Sequence, residues 1–189
     1  MNRPLFAAAA LGLALALGAC STTTSSGGAT NSDKRASIDA NVNGALTKLY
    51  AQDPQSRSLV AKARGVLVFP SVVSAGFVVG GSYGQGSLLV DGRPVAYYST
   101  AAGSVGLLAG AESKAMYILF MTDESLNKFR ASNGWTAGAD ASVSLMKTGA
   151  SAGIDTQTAQ QPVVGYVLTN AGLMANLAID GTKITRLDI

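Results

Sequence analysis

Histidine is absent from this chain and cysteine occurs once, at Cys20. Without His, neither a Ser-His-Asp nor a Cys-His mechanism can be assembled, and the usual imidazole metal ligand is missing. A single Cys leaves no intrachain disulfide and no thiolate metal cage. Charge is also scarce: 13% of the 189 residues are Asp, Glu, Lys or Arg, against about a quarter in an ordinary globular chain. Glycine, in contrast, is abundant at 22 residues, in a chain that is 48% hydrophobic. That balance suits a β-rich, largely buried domain, and the length allows about one domain with a real core. No enzyme chemistry, cofactor, metal or nucleic-acid partner is expected.

The first 19 residues have the layout of a secretory signal: Arg3, then an apolar run from Leu5 to Leu17, then Leu17-Gly18-Ala19 before Cys20. The apolar run is too short to span a bilayer comfortably. The site looks like a bacterial lipobox, so cleavage before Cys20 and covalent acylation of that residue are expected. Acyl chains gain about 0.8 kcal/mol per buried CH₂, and several of them make a lasting anchor. By resemblance to lipoproteins, of which those with Asp after the Cys are usually held at the inner membrane, Ser21 favours the periplasmic face of the outer membrane. Residues 20–32 then form the lipidated Cys and a polar tether, leaving 33–189 as a single domain.

Residues 64–90 organise that domain: RGVLVFPSVVSAGFVVGGSYGQGSLLV. The valines favour extended backbone. The glycines at 76, 80, 81, 84 and 86 fit either a strand pair with a turn or bulges, or a backbone-lined surface that a ligand headgroup approaches closely. Before this stretch, Ile38, Val42, Ala45, Leu46 and Leu49 recur at helical spacing, predicting a helix over 33–52. Asp53-Pro54 reads as the N-cap and first turn of a second, shorter helix ending near Gly65.

Charge is uneven along the chain. Six basic residues (Lys34, Arg35, Lys48, Arg57, Lys62, Arg64) and two acidic ones (Asp39, Asp53) lie between 34 and 64, whereas seven basic and eight acidic residues follow. Juxtamembrane cations gain about 1 kcal/mol each near an anionic surface. These six are therefore candidate lipid-binding residues, the alternative being a solvated helix face.

The remainder reads as strands. Asp91-Gly92 is a two-residue hairpin signal, and residues 115–121 are continuously apolar, as in a strand buried on both faces. Thr122-Asp123-Glu124 opens a short helix with Leu126 and Phe129 inward and Lys128 and Arg130 near its end. After Asn133-Gly134, residues 135–145 alternate cleanly, which predicts a long strand with Asp140 on its polar side. The end of the chain predicts three strands, broken at 170–172 and at Asp180-Gly181. The expected fold class is α+β, an N-terminal helical pair followed by a glycine-rich antiparallel β-meander with one short inserted helix.

Motifs that would signal catalysis lack their context. Residues 149–153 match G-x-S-x-G, but no His base exists. S-x-x-K at 144–147 and K-T-G at 147–149 would share one lysine. Gly84-x-Gly86 lacks the third glycine and the following helix of a dinucleotide site.

ARGVLVFP, the glycine cluster through GSYGQGSLL, AMYILFMTDESLNKF, WTAGADASV and VVGYVLTNAGLMANLAIDG occur in that order over residues 55–189. This succession resembles the SYLF domain family, which includes eukaryotic proteins with SH3 or FYVE modules and many small bacterial lipoproteins. The resemblance implies a non-catalytic, lipid-binding domain. Eukaryotic members meet phosphoinositide-rich membranes through a basic N-terminal segment, and yeast relatives are linked to actin. Actin is not carried over, because a periplasmic protein never meets it. Tyr97-Tyr98 stands where the family usually has a tryptophan-bearing segment, so no binding role is assigned there. The expected function is that of a lipid-anchored periplasmic protein binding phospholipid or a related amphiphile at the membrane surface. An adaptor lipoprotein holding an envelope protein partner is the alternative.

Overall fold

The computed structural model describes residues 29–76, 79–105, 110–146, 160–170, 172–173 and 179–189. The signal segment, Cys20, most of the tether and the motifs at 147–153 lie outside them.

Helix α1, Asn31–Gln52, opens on a capping box: the Thr30 hydroxyl accepts from the Asp33 N–H, and the Asp33 carboxylate accepts from the Thr30 N–H at 3.0 Å. The helix therefore claims two residues expected in the tether. Ile38, Val42, Ala45 and Leu49 are its buried stripe, as their spacing predicts. Helix α2, Ser56–Lys62, starts later than expected, with Gln55 rather than Asp53 at its N-cap. Proline disfavours helical backbone in the residue before it. Asp53 is accordingly extended and closes α1, donating its N–H to the Leu49 carbonyl at 2.8 Å.

Four long strands follow: β1 Gly65–Gly76, β2 Val79–Val90, β3 Arg93–Val105 and β4 Gly110–Phe120. Next come α3 Asp123–Ala131, then β5 Trp135–Thr136, β6 Ser144–Leu145, β7 Val163–Thr169, β8 Gly172–Leu173 and β9 Lys183–Leu187. At the β2–β3 turn both Asp91 and Gly92 have positive φ, 51° and 74°, the backbone a two-residue hairpin demands. Thr122 caps α3, whose acids lie in its first turn and whose cations lie in its last.

The fold is α+β, but the expected meander holds for three strands only. β4 pairs with β1, not β3, giving the spatial order 3-2-1-4 of a Greek key. Residues 116–120 are buried, so the backbone groups on both edges of β4 must be paired, and they are, with β1 and β7. The full order is β5-β9-β3-β2-β1-β4-β7-β6 with β8 on β7, antiparallel except for β6 with β7.

The long strand expected over 135–145 does not form. β5 and β6 are separated by a turn in which Gly138 has φ 85° and the Asp140 N–H returns to the Thr136 carbonyl at 2.9 Å. The alternation was real, but its members are mostly alanine, glycine and serine, which bury too little to hold a strand straight. This short segment carries both ends of the sheet. Laid flat, eight strands would set those ends about 34 Å apart, at about 4.8 Å per strand. A seven-residue link containing a tight turn cannot reach so far, so the sheet curls.

The curl separates two cores. Inside it, Leu67, Phe69, Leu88, Met116, Ile118 and Phe120 pack on Leu126 and Phe129 of α3 and on Trp135. On the outer face, α1 and α2 cover Val66, Val68, Leu89, Tyr117, Leu119 and Tyr166.

Candidate lipid-binding cleft

β1 to β4 run on past their flanking strands: β7 pairs with β4 only from Lys114 onward, and β9 pairs with β3 only as far as Ala101. The projecting end is therefore a four-stranded tongue of mostly small residues. Its orientation is set by a bulge in β1 between Val68 and Ser71. Pro70 sits in that bulge, where a missing N–H costs no ladder bond. The extra residue puts Ser71 and Val73 on the same face as Val66 and Val68, the face α1 covers.

Where α1 stops covering that face, a cleft of about 450 Å³ opens. Its helix wall is Ala40, Asn41, Gly44, Ala45 and Lys48; its floor is Pro70, Ser71, Ser113, Ala115 and residues 168–170. A Cβ on Gly44 would meet nothing within 4 Å. The Ser71 and Ser113 hydroxyls meet at 3.0 Å across β1 and β4. The Tyr117 hydroxyl donates to the Ala45 carbonyl at 2.7 Å, pinning α1 at the inner edge; burial pushes that hydroxyl well above its ordinary pKa. Lys48 is the one charged residue of the lining, so the cleft offers a cation, amides and hydroxyls, with apolar walls and no carboxylate.

The six predicted cations are not gathered on one face. Lys48 lines the cleft. The Arg35 Nε donates to the Ile189 carbonyl at 2.7 Å, and the Arg57 guanidinium lies 4.4 Å from the Tyr50 ring centroid. Arg64 lies 3.6 Å from Asp123 with both side chains exposed, and Lys34 and Lys62 are exposed on α1 and α2. Sequence reasoning missed Asn41, Ser71, Ser113 and Asn170, which carry no charge signal and meet only through the β1–β4 and β4–β7 pairings and the packing of α1 on the sheet. The Asp140 carboxylate accepts the Thr136 N–H at 2.6 Å and so serves its own turn. No cluster of metal-ligating side chains occurs among the described residues.

Residues 101–188 match the family model Ysc84, described as Las17-binding protein actin regulator. Over that stretch the chain is similar to this family, the SYLF domain family. No curated protein matches the chain. The matched segment begins inside β3 and omits β1 and β2, although β1 lies between β2 and β4.

Proposed function

We propose that this protein is a non-catalytic, lipid-anchored protein of the periplasmic face of the outer membrane that binds phospholipid or a related amphiphile at the membrane surface. The observation that carries the reading is the cleft beside α1, where Lys48 is the sole charge and the floor continues into an uncharged sheet face. The likeness of residues 101–188 to the SYLF family supports lipid binding, and the excess of cations on α1 and α2 supports an anionic surface. Acylation at Cys20 would keep the domain within a short tether of the bilayer. Missing histidine and thiol chemistry supports a binding role rather than catalysis. Actin regulation, by which the family is described, is left out of the proposal because an exported chain does not meet actin.

The test is co-sedimentation of the chain, purified without acyl groups, with vesicles of rising anionic content. Retention should rise with anionic lipid and fall with salt. Lys48→Gln should weaken it about fivefold, the equivalent of about 1 kcal/mol for one cation near an anionic surface. Binding indifferent to both lipid charge and salt would refute the reading.

A further inference from the structure

Three exposed large hydrophobic residues share one face of the tongue: Val73 at 48%, Tyr83 at 52% and Val79 at 72% exposed. Val73 and Tyr83 are cross-strand partners. The next row toward the tip is nearly bare backbone, with Gly81 paired to Ala75 on one side and Gly103 on the other. The surface is thus a shallow trough, walled by Val73 and Tyr83 on one side and Val79 on the other. It adjoins the cleft directly, because Ser113 is the β4 partner of Val73.

Charge divides the two faces of the tongue. Side chains alternate along a strand, so Glu112 and Lys114 of β4 fall on the face opposite Ser113. The trough face carries no charged residue within β1 to β4. Moving from α1 outward, a ligand therefore meets one cation with amide and hydroxyl groups, then an uncharged track. That is the order of head and tail in an anionic lipid. The track crosses the tongue from β4 to β3, three interstrand steps of about 4.8 Å, or about 14 Å, enough to seat much of one extended tail.

We propose that the trough holds the acyl chain of a single anionic lipid whose headgroup sits in the cleft at Lys48. This rests on the lipid-binding reading above and deepens it: the domain takes one lipid molecule rather than only touching a surface.

The test uses the full chain without acyl groups, mixed with phosphatidylglycerol carrying a photoreactive diazirine on its acyl chain. Adducts are mapped by mass spectrometry, with the phosphatidylcholine analogue in parallel. Adducts should concentrate on the β1 and β2 peptides that contain Val73, Val79 and Tyr83. Lys48→Gln should lower the phosphatidylglycerol yield about fivefold and leave the phosphatidylcholine yield unchanged. Tyr83→Asp should lower both about tenfold by setting a carboxylate against the chain. Tyr83→Ser should give a smaller loss, and thermal melts of each variant show whether the fold is kept. Adducts spread evenly over the surface, or confined to α1 and α2, would overturn the proposal; if vesicle co-sedimentation persists, the surface-binding reading survives that failure. Loss of co-sedimentation by the unaltered chain sinks both. A dimer that becomes a monomer on Tyr83→Asp, seen by light scattering without lipid, would mean that a second copy closes the face, and would also overturn the proposal.

Discussion

Gly86 and Gly44 show how differently a missing Cβ is used. A Cβ on Gly86 would fall onto the main-chain carbonyl of Val68 and the ring of Phe69. The glycine cluster of β2 was open, in sequence, to a close approach by a ligand or by the sheet itself; at Gly86 the approaching group is β1. Gly86→Ala should therefore destabilise by about 1–3 kcal/mol or more through overpacking, read as a lower urea midpoint. Gly44→Ala, in open space inside a helix, should stabilise by about 0.5–1 kcal/mol and raise that midpoint. Burial raises the Tyr117 and Tyr166 hydroxyls, with the Asp53 charge adding to the effect at Tyr166. A folded-state pKa above the unfolded value, near 10, means this contribution is intact below that pH. It is lost as pH rises beyond it, while the unfolded chain ionises and the folded one does not. Stability should be flat just below pH 10 and fall above it. Tyr117→Phe should cost about 1 kcal/mol at neutral pH, from the lost bond to Ala45, and should make the alkaline decline shallower.

Elements with strong hydrophobic contrast were legible in sequence: α1 from its buried stripe, β4 from its apolar run, α3 from its cap and end charges, and the β2–β3 hairpin from Asp91-Gly92. Residues 135–145 were not, because a period-two pattern of small residues looks the same whether the chain continues or turns. The turn depends on Gly138, whose φ of 85° suits glycine and whose Cβ would press on the Asp180 side chain. Gly138→Ala should cost about 1–3 kcal/mol. Gly103→Ala, with nothing within 4 Å and an ordinary φ, should stay within about 0.5 kcal/mol of the parent. Equal urea midpoints for the two variants would mean that the turn is not held by its backbone. The cleft was legible only through Lys48, since its serines and asparagines converge through strand order, which local pattern does not encode.

That order also decides how much chain the domain needs. The family match covers residues 101–188, a segment that could be mistaken for the whole unit. Within the sheet, however, β3 and β4 do not touch as neighbours; β2 and β1 lie between them, and the registers β1·β2, β1·β4 and β2·β3 are the longest among the described residues. Residues 101–189 alone would leave β4 with β7 on one side and an open edge on the other, and would expose Tyr117 and Leu119 by removing α1 as well. An exposed apolar edge of that kind pairs with other chains instead of folding. A chain trimmed to 101–189 should therefore show no cooperative thermal transition and should aggregate, whereas 29–189 should melt in a single step. The two trimmed chains need only be compared by calorimetry and light scattering. A cooperative, monomeric transition in the shorter one would show that the central position of β1 is dispensable, and the Greek-key order would then have no claim to hold the fold together.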